Sequence, residues 1–163
     1  MTPPKTARVG EHFLVTGPRG RIFTTLLDAS HVYFYFEGQV ELAMFDETMA
    51  PANQALASGR AYLHGDGGNW KNYAAEYRTR WTDWFVQNRA RIAHVDLMVR
   101  SPILRMGVQV VNLFTSGIIT ALDDDDALYE RMRRECPTAE AAIATWPADV
   151  RARARRSSAE TRR

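Results

Sequence analysis

Apolar positions recur along this chain at two periods, and the changes between them mark out its elements. Ala93, Val95, Leu97 and Val99 alternate with His94, Asp96 and Met98, the period-two pattern of a strand with one face on a core. Ser101 and Pro102 follow as a helix N-cap and a first helical residue that loses nothing by lacking an N–H. The helix they open carries Ile103, Leu104, Met106, Val108, Val110, Val111, Leu113 and Phe114 around most of its girth. Arg105, Gln109 and Asn112 keep a narrow polar stripe, and Gly117 stops it. Residues 118–122 read as a short strand. The four aspartates of 123–126 then supply an N-cap and first-turn carboxylates at the positive end of a helix running into 127–132.

Upstream, residues 11–15 and 21–27 are predicted strands about a turn at Gly17, Pro18, Arg19 and Gly20, together a β-hairpin. Residues 31–38 are aromatic and nearly continuous, as in a central strand covered on both faces or half-covered by rings. A helix is predicted over 41–57, with Leu42, Phe45, Met49 and Leu56 inward, Pro51 kinking or restarting it and Gly59 ending it. A short strand from Ala61 feeds a loop of Asp66, Gly67, Gly68, Asn69 and Trp70, the candidate partner or ligand loop. The helix after it, over 73–91, carries Tyr77, Trp81, Trp84 and Phe85 for the core. The predicted order is hairpin, aromatic strand, then helix–strand–helix–strand–helix–strand–helix.

A strand ending in Ser101 and Pro102, an apolar helix, a short strand and an acidic turn into Ala127 and Leu128 resemble the C-terminal half of STAS-like domains. More narrowly they resemble the SpoIIAA-like group, named after the sporulation anti-sigma-factor antagonist and grouped with the CRAL-TRIO lipid-binding fold. The resemblance spans residues 31–134. It implies an α/β fold with a mixed five- to six-stranded sheet and helices mainly on one face. It also implies a non-catalytic regulatory or scaffolding module that binds a protein partner or a second copy. The CRAL-TRIO relation implies an alternative, a carrier or sensor of a small apolar, lipid-like ligand. Phosphorylatable STAS domains hold a serine at the helix start after the corresponding loop. Here residues 64–78 contain no Ser or Thr and Thr79 comes first, which speaks against a phospho-switch at that place.

Length allows one domain: 163 residues bury about 70% of the unfolded chain's surface around a single core. Residues 1–30 are expected as an N-terminal hairpin extension, 31–134 as the STAS-like domain, 135–149 as a short C-terminal helix with Trp146 packed back on the body, and 150–163 as a basic disordered tail. Charge supports the last boundary. Residues 1–130 hold 12 basic and 15 acidic side chains, whereas 131–163 hold 9 and 4. The arginines beyond Val150 lie among Ala and Ser with no large apolar neighbour, a composition that favours a solvated tail, with contact to nucleic acid or an anionic membrane surface as the sharper alternative. No aromatic interleaves them, against base stacking. Cys136 stands alone, so no internal disulfide is expected and a reduced cytoplasmic setting is. The opening residues carry no apolar targeting core, and no apolar run reaches the ~20 residues of a membrane span.

Two His-x-Asp pairs carry the candidate chemistry: His64 with Asp66, and His94 with Asp96. Positions i and i+2 of a strand share a face, and two neighbouring parallel strands can bring all four together. Imidazole with carboxylate suits zinc or iron, which makes a metal-dependent enzyme the third functional class. A dipeptide spacing this short also arises on any half-exposed strand face, so no catalytic, cofactor or metal residue is assigned and the chain is read as not an enzyme. Gly67, Gly68 and Asn69 match neither phosphate-binding glycine pattern and read as a tight turn. Cys136, beside Pro137, has no nucleophile-elbow context. Structure separates the three classes: a pocket above about 300 Å³ favours the ligand, a filled core with an exposed apolar patch the partner, and converging imidazoles the enzyme.

Overall fold

Seven strands hydrogen-bond in strict sequence order into one mixed sheet. β1 (Lys5–Val9), β2 (His12–Thr16), β3 (Gly20–Leu26) and β4 (His31–Val40) are antiparallel neighbours; β5 (Ala61–Tyr73), β6 (Ile92–Val99) and β7 (Ile119–Leu122) continue from β4 in parallel. The computed structural model describes residues 4–9 and 12–160. The strand beyond the expected five to six is β1. Its Lys5, Thr6, Ala7 and Arg8 are exposed, so no alternation of apolar and polar residues announced it. The hairpin expected in residues 1–30 is present as β2 and β3, but it is no appendage: β3 pairs with β4 from Gly20–Gly38 to Leu26–Val32.

The parallel half decides where the helices go. α1 (Phe45–Thr48) and α2 (Ala50–Ser58) connect β4 to β5, α3 (Ala75–Asn88) connects β5 to β6, and α4 (Pro102–Thr115) connects β6 to β7. Right-handed crossovers that always step the same way along a sheet must all land on one face. Accordingly Met49 between α1 and α2, Ala52 and Leu56 of α2, Tyr77, Trp84 and Phe85 of α3, and Leu104, Val108 and Val111 of α4 share one core with Val32, Phe34 and Phe36 of β4. The segment expected as one helix over 41–57 is broken at Met49 and restarts with Pro51 in its first turn, and Gly59 ends it at φ 141°.

Helices cover both faces, which corrects the one-sided arrangement expected. After β7 the chain returns as α5 (Asp125–Glu135), α6 (Ala139–Ala144) and α7 (Ala148–Glu160). These bury Tyr129, Met132, Ile143, Trp146 and Val150 against Phe23, Tyr33 and Tyr35 on the sheet's second face. β4 therefore has no solvent side, the physical meaning of its unbroken aromatic run. Trp146 stacks on Tyr33 with ring centroids 4.2 Å apart. Asp124 caps α5 by accepting from the Asp126 N–H at 2.9 Å. At α4, Ser101 occupies the N-cap position, but its hydroxyl makes no capping bond.

Residues 150–160 form most of α7 where a disordered basic tail was expected; residues 161–163 lie outside the described residues. Helical spacing puts Val150, Arg153 and Ala154 on one face, and all three are buried. Arg153 grips Asp66 with Nε to Oδ2 at 2.8 Å and Nη2 to Oδ1 at 2.9 Å. Its guanidinium also lies 3.3 Å from Asp125. Arg151 donates to the Ala144 carbonyl at 2.9 Å, so neither of these arginines reaches outward as part of a polyanion-binding arm. Composition missed α7 because its anchor is one paired charge and not a row of apolar side chains. Arg153→Met should cost about 3–5 kcal/mol in urea unfolding by stranding the Asp66 carboxylate. Asp66→Leu combined with Arg153→Met should cost clearly less than the sum of the two single changes.

Candidate functional site

The polar residues of the sheet gather on the second face. Register sets Tyr62 of β5 beside His31 of β4 and His94 of β6, and His64 beside Asp96. α5 lies above them, its Leu128, Arg131, Met132 and Glu135 at the spacing of a single helical face. Three of the four His-x-Asp residues thus converge. Asp66, one pleat further along β5, instead serves Arg153 and accepts from Tyr129 Oη at 2.7 Å, with Tyr33 Oη 2.8 Å beyond.

Asp96 is wholly buried and divided in its use. Its Oδ1 accepts from Arg131 Nη1 at 2.9 Å and lies 2.8 Å from His94 Nε2, while its Oδ2 has no hydrogen-bond partner among the described residues. His64 Nδ1 lies 3.8 Å from that Oδ2, too far for a hydrogen bond. Both nitrogens of the fully buried His64 ring, and Glu135 Oε2, have no hydrogen-bond partner among the described residues. The ring stacks on His31 at 5.6 Å and 10°. Burial lowers the His64 pKa to about 4 against the opposing charge of Asp96, so the imidazole is neutral near pH 7. The sequence reading missed Arg131 and Glu135, whose one local signal was sharing a helical face with Leu128 and Met132.

Beside this cluster Asp28 accepts the backbone N–H groups of Ser30 and His31, both at 2.8 Å, lies 3.0 Å from His31 Nδ1, and takes a bond from Cys136 Sγ at 3.3 Å. Burial pushes the Cys136 thiol pKa up, and the hydrogen bond and charge of Asp28 add to this. A neutral, buried thiol is a poor nucleophile.

The expected loop at Asp66, Gly67, Gly68, Asn69 and Trp70 is strand, since β5 runs on to Tyr73. Between Tyr35 and Glu37 of β4, β5 holds one extra residue, a bulge that aims Asp66 and Gly68 at Arg153. A β-carbon on residue 68 would lie 2.5 Å from Arg153 Nη2 and 2.7 Å from Met98 Cε, so a side chain there would displace the ends of both. The Gly68 N–H, the donor an anion would use, donates to Asp66 Oδ1 at 2.9 Å. Asn69 Nδ2 donates to Tyr35 Oη at 2.9 Å, and Trp70 stacks on Phe36 at 4.5 Å. These five residues lie in the strand and not in a tight turn.

On the opposite face a cavity of about 70 Å³ lies between the sheet, α3 and α4, lined by Phe34, Phe36, Trp70, Trp81, Leu104 and Val108 among others. Ligand pockets for drug-sized molecules run to roughly 300–1,000 Å³. Outside it, Ile103, Met106, Val110, Leu113 and Phe114 of α4 are exposed. The polar stripe expected on this helix is partly consumed by structure: Arg105 donates to the Val99 carbonyl at 2.9 Å, and Asn112 brackets Ile119 of β7 with bonds of 2.8 and 3.0 Å. Among the described residues, no helix is long and apolar enough to cross a membrane. Cys136 should resist a thiol reagent such as Ellman's in the native protein and react fully after denaturation; rapid native labelling would contradict its placement.

No family model matches the chain, and no curated protein matches it. Among solved structures it is similar to a crystal structure of an uncharacterized protein from the DUF3478 family of Shewanella loihica PV-4, described with a SpoIIAA-like fold. The two are 12% identical, the match covers 78% of this chain and 90% of that one, and the TM-score is 0.48.

Proposed function

We propose that this chain is a non-catalytic STAS-like module that works by docking a protein partner, and that the partner of its exposed helix is α4 of a second copy. One observation carries this reading: α4 is apolar on two faces, and the fold buries only one. Leu104, Val108 and Val111 face the core, while Ile103 and Leu113 remain 65% and 82% exposed. A helix apolar all round belongs in an interior, and a contiguous exposed stripe marks a surface that is covered in the working assembly.

The spacing of the stripe favours a helix as its occupant. Ile103, Met106, Val110 and Leu113 step by three, four and three, the seam of a coiled coil. Identity of the two partners follows from charge. Arg105 is the one ionisable side chain of α4, and it is turned back to Val99, so the seam presents no charge that would repel its own copy or select an oppositely charged one. A two-fold axis can then set the seam against itself. The carrier alternative is less favoured, because the apolar cavity between the sheet, α3 and α4 has only about 70 Å³, small for a lipid-like ligand.

Sedimentation analysis of the full chain across protein concentrations tests the reading. A reversible monomer–dimer equilibrium is expected, shifted to monomer by Met106→Glu with Leu113→Glu, with the far-ultraviolet circular dichroism unchanged and monomer stability within about 0.5 kcal/mol of the parent. A monomer at every concentration, or a dimer indifferent to both substitutions, overturns it.

A further inference from the structure

We infer that His64, Asp96 and Glu135 form a binding site for a divalent transition-metal ion of the zinc class, held between β5, β6 and α5. The inference stands apart from the α4 interface, which lies on the other face of the sheet. It rests on unpartnered buried atoms of three residues that come together between β5, β6 and α5. His64 Nδ1 and Nε2, Asp96 Oδ2 and Glu135 Oε2 are each without a hydrogen-bond partner among the described residues, and one ligand atom from each residue lies within 4.8 Å of the others. Buried polar atoms are ordinarily satisfied, and unpartnered atoms on three residues whose ligand atoms also cluster call for a shared partner.

The chemistry of that partner follows from the donor set. Two carboxylate oxygens and an imidazole lone pair repel one another, and a cation removes the repulsion. One neutral nitrogen with two anionic oxygens is a set that zinc, cobalt, iron or manganese in the divalent state accepts, whereas calcium and magnesium prefer oxygens alone. Distance agrees: a tetrahedral ion with bonds of about 2.1 Å holds its ligand atoms about 3.4 Å apart, and His64 Nδ1 to Asp96 Oδ2 is 3.8 Å. Closure of a few tenths of an ångström completes that edge.

The surroundings are prepared for such an ion. The His64 ring is fully buried, and neither of its nitrogens has a hydrogen-bond partner among the described residues. His31 stacks on its face and restrains its tilt. Arg131 and His94 both engage Asp96 through Oδ1, which orients the carboxylate and leaves Oδ2 turned to the site. Arg131 offsets part of the charge, and the remaining excess of Asp96 and Glu135 is what a dication would neutralise. Held from two strands and from the last residue of α5, the ion would pin that helix to the sheet.

Titration of the metal-stripped full chain with Zn²⁺, followed by calorimetry and by thermal unfolding, tests the inference, with Co²⁺ absorption reporting the ligand set. One equivalent of zinc should bind and raise the unfolding midpoint by about 5–10 °C at a concentration ~100 times Kd. Glu135→Gln keeps the shape of a partly exposed side chain and should weaken zinc binding by at least tenfold while folding normally. His64→Phe, which also removes two unsatisfied nitrogens, should abolish it, and Cys136→Ser should leave it intact. No stoichiometric zinc binding, binding that persists in both Glu135→Gln and His64→Phe, or binding lost in Cys136→Ser would overturn the assignment, the last by moving the ion to Asp28, His31 and Cys136.

Discussion

Asp66 and Arg153 lie 87 residues apart and form a buried, bidentate ion pair on which the second face of the sheet is organised. The carboxylate spends its acceptor capacity on Arg153, Tyr129 and the Gly68 N–H, one partner each from α7, α5 and its own strand. Burial alone would lower the Arg153 pKa; the hydrogen bonds and charge of Asp66, then the charge of Asp125, outweigh it and raise it well above the ordinary value. A pair of this kind adds little over two packed apolar residues, yet it is costly to break from one side, so it constrains which arrangement is allowed more than how stable it is. The β5 bulge, the glycine at 68 and the docking of α7 are consequences of admitting one guanidinium to this place.

The two faces of the sheet follow different physics. On the first, three crossovers in one direction bring α2, α3 and α4 to the same side, and aromatic rings from β4 and α3 fill the space between. Burial of apolar area is enough there, and it is tolerant of side-chain detail. The second face buries Tyr33, Tyr129, His64, Asp66 and Asp96, whose polar atoms each need a partner. Where the partners are present, as at Asp66, the result is a rigid joint. Where they are missing, as at His64, the imbalance points to chemistry the fold itself does not explain.

The exposed stripe of α4 and the His64 cluster occupy opposite sides of β5 and β6, so a partner on one and an ion on the other would act through the sheet and not by direct contact. Their origins differ as well. The α4 stripe is a surplus of apolar surface on an edge helix, next to the short edge strand β7 that Asn112 ties down. The cluster is a surplus of lone pairs in the interior. Both are departures from what packing this chain as a monomer requires, and such departures are where function is to be sought.

By itself the sequence determined the elements that depend on local spacing: the alternation of β6, the Ser101–Pro102 start of α4 and its end just before Gly117, the aspartate cap of α5, the helix restart at Pro51 and the burial of Trp146. These are legible because hydrogen-bond geometry and side-chain direction repeat within a few residues. It allowed all four His-x-Asp residues to meet on neighbouring parallel strands; the register brings His64, His94 and Asp96 together and sends Asp66 to Arg153. Tertiary structure alone decided that β1 joins the sheet, that helices cover both faces, that residues 66–70 are a bulged strand, and that residues 150–160 are helix. It also brought Glu135 to His64, from α5, with α3, β6, α4 and β7 between them along the chain. Each of these depends on a contact between distant segments, where one paired charge such as Arg153 with Asp66 outweighs the average character of the surrounding residues.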